Sequence, residues 1–96
     1  MIVTFADAAT ADIYHGVNSA RARRFPADVA KRAIRKLDMV NAAAILDDLK
    51  VPPGNNLEAL AGDLAGHHSI RVNGQWRIVF KWKDNAAHEV RLVDYH

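Results

Sequence analysis

The chain has 96 residues, half of them hydrophobic and a quarter charged, and no cysteine. That length allows one domain with one core, and that composition lies away from the low-hydrophobicity, high-charge range of disordered chains. The missing thiols exclude disulfides, cysteine catalysis and thiolate zinc sites. Thirteen Lys and Arg against eleven Asp and Glu leave a formal net charge of +2, so the placement of charge says more about partners than its sum does.

No apolar run approaches the roughly 18 residues of a membrane span, and the first residues lack the basic start and apolar stretch of a signal peptide. We therefore expect a single domain over residues 1–96, cytoplasmic and without a membrane partner. Met1 to Phe5 is β-branched and aromatic and is expected to add one short strand to a sheet built mainly from later residues. Asp7 to His15 reads as a short helix ended by Gly16, because glycine takes the left-handed conformation at a helix C-terminus. Pro26 pre-sets the first turn of a second helix and Asp28 suits its positive end. Val29, Ala33, Ile34, Leu37 and Val40 then recur at helical spacing as its inward face.

The opposite face of that helix carries Lys31, Arg32, Arg35 and Lys36, with Arg21, Arg23 and Arg24 just upstream. These cations form either a solvated helix face or a basic stripe for phosphate or an acidic partner. Asn41 is placed to cap a further helix that turns Ile45, Leu46 and Leu49 inward, antiparallel to the one before it. Pro52-Pro53-Gly54 stops that helix, since proline cannot continue one.

From His68 onward Ile, Val, Trp and Phe alternate with Arg and Lys, the pattern of half-buried strands. Ser69 to Val72, Trp76 to Trp82 and Glu89 to Val93 read as three antiparallel strands, with Asn73-Gly74 and Asp84-Asn85 as turns. The middle strand puts Trp76, Ile78, Phe80 and Trp82 on one face and Arg77, Val79, Lys81 and Lys83 on the other. One side is therefore expected to be buried against helices and the other basic. A strict two-residue turn at Asn73-Gly74 sets Ile70 opposite Arg77 and mixes the faces. A longer or bulged loop sets Ile70 opposite Ile78, and that register is expected. The class is α+β.

Asp94, Tyr95 and His96 bring a carboxylate, a phenol and an imidazole to the end of the last strand, groups suited to proton transfer near neutrality. Taken alone they also fit a frayed tail. Arg77 sits mid-strand among large apolar neighbours, where a cation needs a polar face or an anion. It suits bidentate phosphate binding and stabilisation of a pentacoordinate transition state, or an ordinary ion pair with Glu89 or Asp94. Trp76 and Trp82 fit the core better than base stacking. Adjacent His67 and His68 point to opposite faces of a strand and make poor joint ligands, so neither a metal nor a cofactor is implied.

Several runs carry a family likeness: Val51-Pro52-Pro53-Gly54-Asn55, Leu57-Glu58-Ala59-Leu60, Gly62-Asp63, Ser69-Ile70-Arg71-Val72-Asn73, Gln75-Trp76-Arg77-Ile78 with Phe80, and Val93-Asp94-Tyr95-His96. Together with Arg24-Phe25-Pro26 and Arg35-Lys36-Leu37 they resemble the HigB toxins of the RelE/ParE superfamily. The resemblance implies a compact RelE-like fold, with N-terminal helices packed on a small antiparallel sheet. It implies the toxin of a type II toxin–antitoxin pair: an endoribonuclease needing no cofactor that cuts mRNA in the ribosomal A site. Its implied partner is a helix-turn-helix HigA-type antitoxin, through which alone it would meet operator DNA.

By the same resemblance the active residues are Arg77, Asp94, Tyr95 and His96. Glu58 stands where some relatives have a catalytic histidine, and is either a carboxylate base or structural. The surface for RNA and ribosome is then drawn from Arg21, Arg23, Arg24, Lys31, Arg32, Arg35, Lys36, Arg71, Lys81 and Lys83. Relatives often carry basic residues where this chain has Asn56, Ala61 and Leu64-Ala65. Fewer cations there imply a milder toxin with a shallower salt dependence. They also keep open a catalytically silent module that works by binding the antitoxin. Gyrase inhibition, as in the ParE branch, is disfavoured by the Asp-Tyr-His ending.

Overall fold

Asp7 starts the first helix in extended geometry, and its Oδ1 accepts a hydrogen bond from the Thr10 amide at 2.7 Å. This cap satisfies one of the four amides a helix start leaves unpaired. In a computed structural model that describes residues 1–94, helix α1 spans Ala8–Tyr14 and closes at Gly16, whose φ of 71° favours glycine. Helix α2, Ala27–Ala42, follows Pro26 and buries Val29, Ala33, Leu37 and Val40, as their spacing requires. Ile34, expected inward, stays 36 % exposed, because it lies about 100° around the helix from Ala33.

Four antiparallel strands form one sheet in the order β1-β2-β3-β4: β1 Glu58–Ala59, β2 His67–Arg71, β3 Trp76–Lys83 and β4 Ala86–Asp94. Ile70 does stand opposite Ile78. The loop that permits this is longer than a tight hairpin. Asn73 Oδ1 accepts from the amides of both Gln75 and Trp76 at 2.8 Å, while the Val72 and Asn73 amides both donate to the Trp76 carbonyl, and together these bonds hold the bulged turn. Asp84 and Asn85, at φ 53° and 56°, make the compact turn between β3 and β4.

The phase of β4 changes along its length. Ala87, Val90 and Leu92 are all buried, yet Ala87 and Val90 are three residues apart and in unbroken alternation face opposite ways. A register shift between Val79 and Lys81, with Glu89 at φ 53°, inserts the extra residue that turns both toward the helices. The core of Ile70, Ile78, Phe80, Ala87 and Val90 then meets Ala33, Leu37 and Val40 of α2. Trp76 and Trp82 pack at its margin, against Phe25 and Phe80 respectively.

Three expectations need correction. The N-terminal residues make no full strand. They run parallel to β4 through two bridges, Ile2 with Ala87 and Phe5 with Val90, fastened by Thr4, which accepts from the Glu89 and Val90 amides. No helix starts at Asn41, since α2 continues through it and its Oδ1 accepts from the Ile2 amide. A short 3₁₀ turn, Leu46–Lys50, follows instead, because the Asp48 carboxylate binds the amides of Ala44 and Ile45. Leu49 is buried as expected, but Ile45 is 51 % exposed. The sheet is also larger than expected: β1 is an additional strand, and β2 and β4 begin earlier than their alternation suggested. Among the described residues no helix is long and apolar enough to cross a membrane.

Candidate functional site

Directly paired residues of an antiparallel sheet point to the same side, so the register maps the face turned away from the helices. Arg71, Arg77 and Val93 form one row, Glu58, Ser69, Val79 and Arg91 the next, and His67, Lys81 and His88 a third. Arg71 and Arg77 stand directly opposite each other. Like charges so placed repel, and an anion between them relieves that repulsion.

Arg77 is 7 % exposed despite its charge. Its Nε donates to Ser69 Oγ at 2.8 Å and its Nη2 to the Asn56 carbonyl at 2.6 Å. Asn56 reaches that position because it ends the short turn Pro53–Asn55 in the left-handed conformation, φ 46° and ψ 57°, which asparagine adopts more readily than most residues. Its side-chain Nδ2 donates to Glu58 Oε1 at 3.2 Å, while Glu58 Oε2 lies 3.9 Å from Arg77 Nη2. Asn56, Arg71, Asn73, Gly74 and Arg77 line a pocket of about 310 Å³. A desolvated, fixed guanidinium beside a second arginine is suited to hold a phosphate and the charge it gains in reaction.

Arg77, Arg71 and Glu58 are thus brought together. Asp94 lies at the same end of the sheet but pairs with Trp76, so it leaves the sheet on the other face, and its Oδ2 accepts from Gln75 Nε2 at 2.9 Å. Tyr95 and His96 lie outside the described residues. Lys81 is exposed between His67 and His88, and Lys83 is exposed at the far end of β3.

Three cations of α2 border a separate cleft. Arg32, Arg35 and Lys36 line this cleft of about 420 Å³ with Met39 and Val72, next in sequence to Arg71. Lys36 Nζ donates to Asn55 Oδ1 at 2.5 Å, and burial pushes its ammonium below the usual lysine range. Asn55 is itself fully buried and donates to the carbonyls of Leu49 and Val51. The upstream arginines lie apart from this cleft. Arg21 is engaged by Asp12, whose carboxyl is held below the usual range by hydrogen bonds from Arg21 and Ser19. Arg23 donates to Asn18, Arg24 borders a surface hollow with Arg21, and Lys31 borders an apolar groove of about 690 Å³ between the helices.

The sequence assigns no site role to Ser69, Asn55 or Arg91, and marks Asn56 only as a place where relatives often carry a cation. The Asn55-Asn56 pair after Pro52-Pro53-Gly54 carries a usable signal, since asparagines at the end of such a turn tolerate left-handed backbone. Among the described residues no group of three or more His, Asp or Glu side chains gathers as a metal site. His68 stacks on Phe80, and burial, then the neighbouring His67, push its imidazole below the usual range.

Residues 3–96 match the family of RelE-like toxins of the type II toxin–antitoxin system HigB. The chain is 45 % identical over 67 residues to Toxin HigB-1 of Vibrio cholerae, covering 70 % of each. It is 38 % identical over 69 residues to a Haemophilus influenzae protein, covering 72 % of this chain and 68 % of that one. The fold is similar to that in the heterotetrameric YoeB–YefM toxin–antitoxin complex from Staphylococcus aureus, with TM-score 0.62, 17 % identity and coverage of 100 % of this chain and 98 % of that one. It is also similar to YafQ from Escherichia coli, with TM-score 0.57, 15 % identity and coverage of 98 % and 93 %. These two likenesses are of fold alone.

Proposed function

Because this chain belongs to the HigB family of RelE-like toxins of type II toxin–antitoxin systems, we propose that it is a ribosome-dependent endoribonuclease that cuts mRNA in the ribosomal A site. It acts in the cytoplasm, without a metal ion, and is neutralised by a helix-turn-helix HigA-type antitoxin that alone carries it to operator DNA. The observation that supports the nuclease reading best is the buried Arg77 guanidinium, fixed by Ser69 and Asn56 at the wall of a pocket shared with Arg71.

The chemistry needs no co-reactant. The RNA 2′-oxygen attacks the adjacent phosphorus as a base takes its proton. The bond from phosphorus to the 5′-oxygen breaks, and an acid returns a proton to that oxygen, leaving a cyclic 2′,3′-phosphate and a 5′-hydroxyl. Arg77 stabilises the phosphorane, and because its donors are already oriented and desolvated they need little reorganisation as charge develops. His96 is assigned to proton transfer, Tyr95 to a supporting hydrogen bond or acid role, Asp94 to orienting them, and Glu58 to a candidate base within reach of the Arg77 pocket.

Phosphate contacts outside the reacting centre fall to Arg71 in the Arg77 pocket and to Arg32, Arg35 and Lys36 around the cleft on α2, with Lys81 and Lys83 farther along the polar face. Arg21, Arg23, Arg24 and Lys31 form a second basic region, suited to ribosomal RNA or to acidic segments of the antitoxin. The segment from Ala61 to Gly66 carries no cation and holds Asp63. It favours a milder toxin, and it is the feature that supports a second reading, a silent module acting through antitoxin binding.

Toeprint mapping on programmed ribosomes tests this, using protein with no tag appended after His96. Wild type is expected to cut at the A site, and Arg77→Ala to lose about 10²–10³ of the rate, the loss typical of one charge-stabilising donor. His96→Ala is expected to lose the cuts as well. Folded wild-type protein that leaves mRNA intact defeats the nuclease reading in favour of the silent module.

A further inference from the structure

Asn56 touches both Arg77 in the pocket and Glu58 beside it, and with opposite ends of itself. Its carbonyl accepts from Arg77 Nη2 at 2.6 Å and its amide donates to Glu58 Oε1 at 3.2 Å. A carboxylate beside a guanidinium ordinarily closes to about 2.7–2.9 Å, often through two parallel hydrogen bonds. Here Glu58 Oε2 stays 3.9 Å from Nη2. The Asn56 side chain tethers the carboxylate through its other oxygen.

Both contacts depend on one backbone conformation. At φ 46° and ψ 57° the Asn56 carbonyl turns toward β2 and β3 while its side chain lies along the start of β1. The preceding residue anchors this arrangement, since buried Asn55 binds the carbonyls of Leu49 and Val51 and receives Lys36.

We infer that Asn56 is a positioning residue that keeps Glu58 from closing onto Arg77. A closed pair would set the carboxylate against the guanidinium that must receive phosphate, and would tie up the carboxylate as a base. The geometric part concerns this chain alone. The consequence for rate rests on the nuclease reading proposed above.

Crystal structures and single-turnover A-site cleavage of wild type, Asn56→Gly, Asn56→Asp and Asn56→Gly on Glu58→Gln test the inference. Asn56→Gly keeps the left-handed backbone and the carbonyl but loses the tether, so the gap of 3.9 Å is expected to close to about 2.7–2.9 Å. The cleavage rate is expected to fall about tenfold to a hundredfold, the scale of an ångström-level misplacement, with the half-saturating ribosome concentration unchanged. Asn56→Asp, which sets a second carboxylate against Glu58, is expected to lose at least as much while tolerating the same backbone. On Glu58→Gln the glycine substitution is expected to change the rate by less than about twofold, because no carboxylate remains to close.

An unchanged gap in Asn56→Gly overturns the inference, as does a rate within about twofold of wild type or an equal loss on Glu58→Gln. If wild type itself does not cleave, the nuclease reading has failed instead, and the gap measured in Asn56→Gly alone decides whether Asn56 holds the pair apart.

Discussion

On the helix-facing side of the sheet Ile70, Ile78, Phe80 and Val90 are fully buried against α2, whereas the other side carries Arg71, Arg77, Arg91 and Lys81. Both sides come from the same alternating strands, and they are held differently. The apolar side is stabilised by area removed from water and by close packing, which no single contact controls. The polar side depends on a few directed bonds: Ser69 and Asn56 on Arg77, and Asn56 on Glu58. Stability is therefore spread across one face, while the chemistry of the other is concentrated in a few atoms.

The largest expected effect breaks the apolar side. Phe80→Ala removes the largest fully buried side chain and is expected to lower unfolding free energy by about 3–5 kcal/mol, read by urea denaturation. Next comes the polar side. Ser69→Ala leaves the buried Arg77 Nε without its hydroxyl acceptor, with an expected loss of about 1–3 kcal/mol and slower A-site cleavage. Full stability after Ser69→Ala would show that the cradle is not what holds Arg77.

The bulge between the two phases of β4 offers a gain. Glu89 has φ 53°, a conformation that disfavours side chains other than those of Asn and Asp by roughly 1–2 kcal/mol. Glu89→Gly relieves that strain and adds unfolded-state freedom of roughly 0.5–1 kcal/mol. A net rise of about 1 kcal/mol or less follows, seen as a higher Tm, while Glu89→Val is expected to lower it.

The smallest effect is a pH dependence on the helix side, at His68. Its folded-state pKa lies below the ordinary 6.5, through burial first and then His67. The neutral ring is thus favoured by folding, and the stability it contributes is complete above 6.5 and declines as pH falls through that value toward the folded pKa. Thermal unfolding from pH 7.5 to 5, about one unit or more to each side, is expected to lose Tm more steeply in wild type than in His68→Gln. Equal slopes would remove His68 from the account.

Periodicity within a few residues made much of this legible. The inward face of α2, the alternation of β3, the Asp84-Asn85 turn and the Ile70–Ile78 register follow from side chains whose spacing is imposed by the backbone. Arg77 stood out for a related reason, as a cation amid apolar strand residues. Less local features were not legible. Asn41 looks like a helix cap until Ile2 uses its side chain, and β1 has too few residues to show a period.

The amino-acid sequence by itself determined which residues alternate, which face of α2 is apolar and where the chain turns, because those properties are set by neighbours on the same short segment. Only the tertiary structure decided that Arg77 rests on Ser69 and Asn56, that Glu58 stands across from it, and that Asp94 leaves the sheet on the opposite face. These placements depend on β1 pairing with β2 and on a left-handed turn closing over the sheet. Such pairings join residues distant along the chain, and the free energy that selects among them comes from the packed whole.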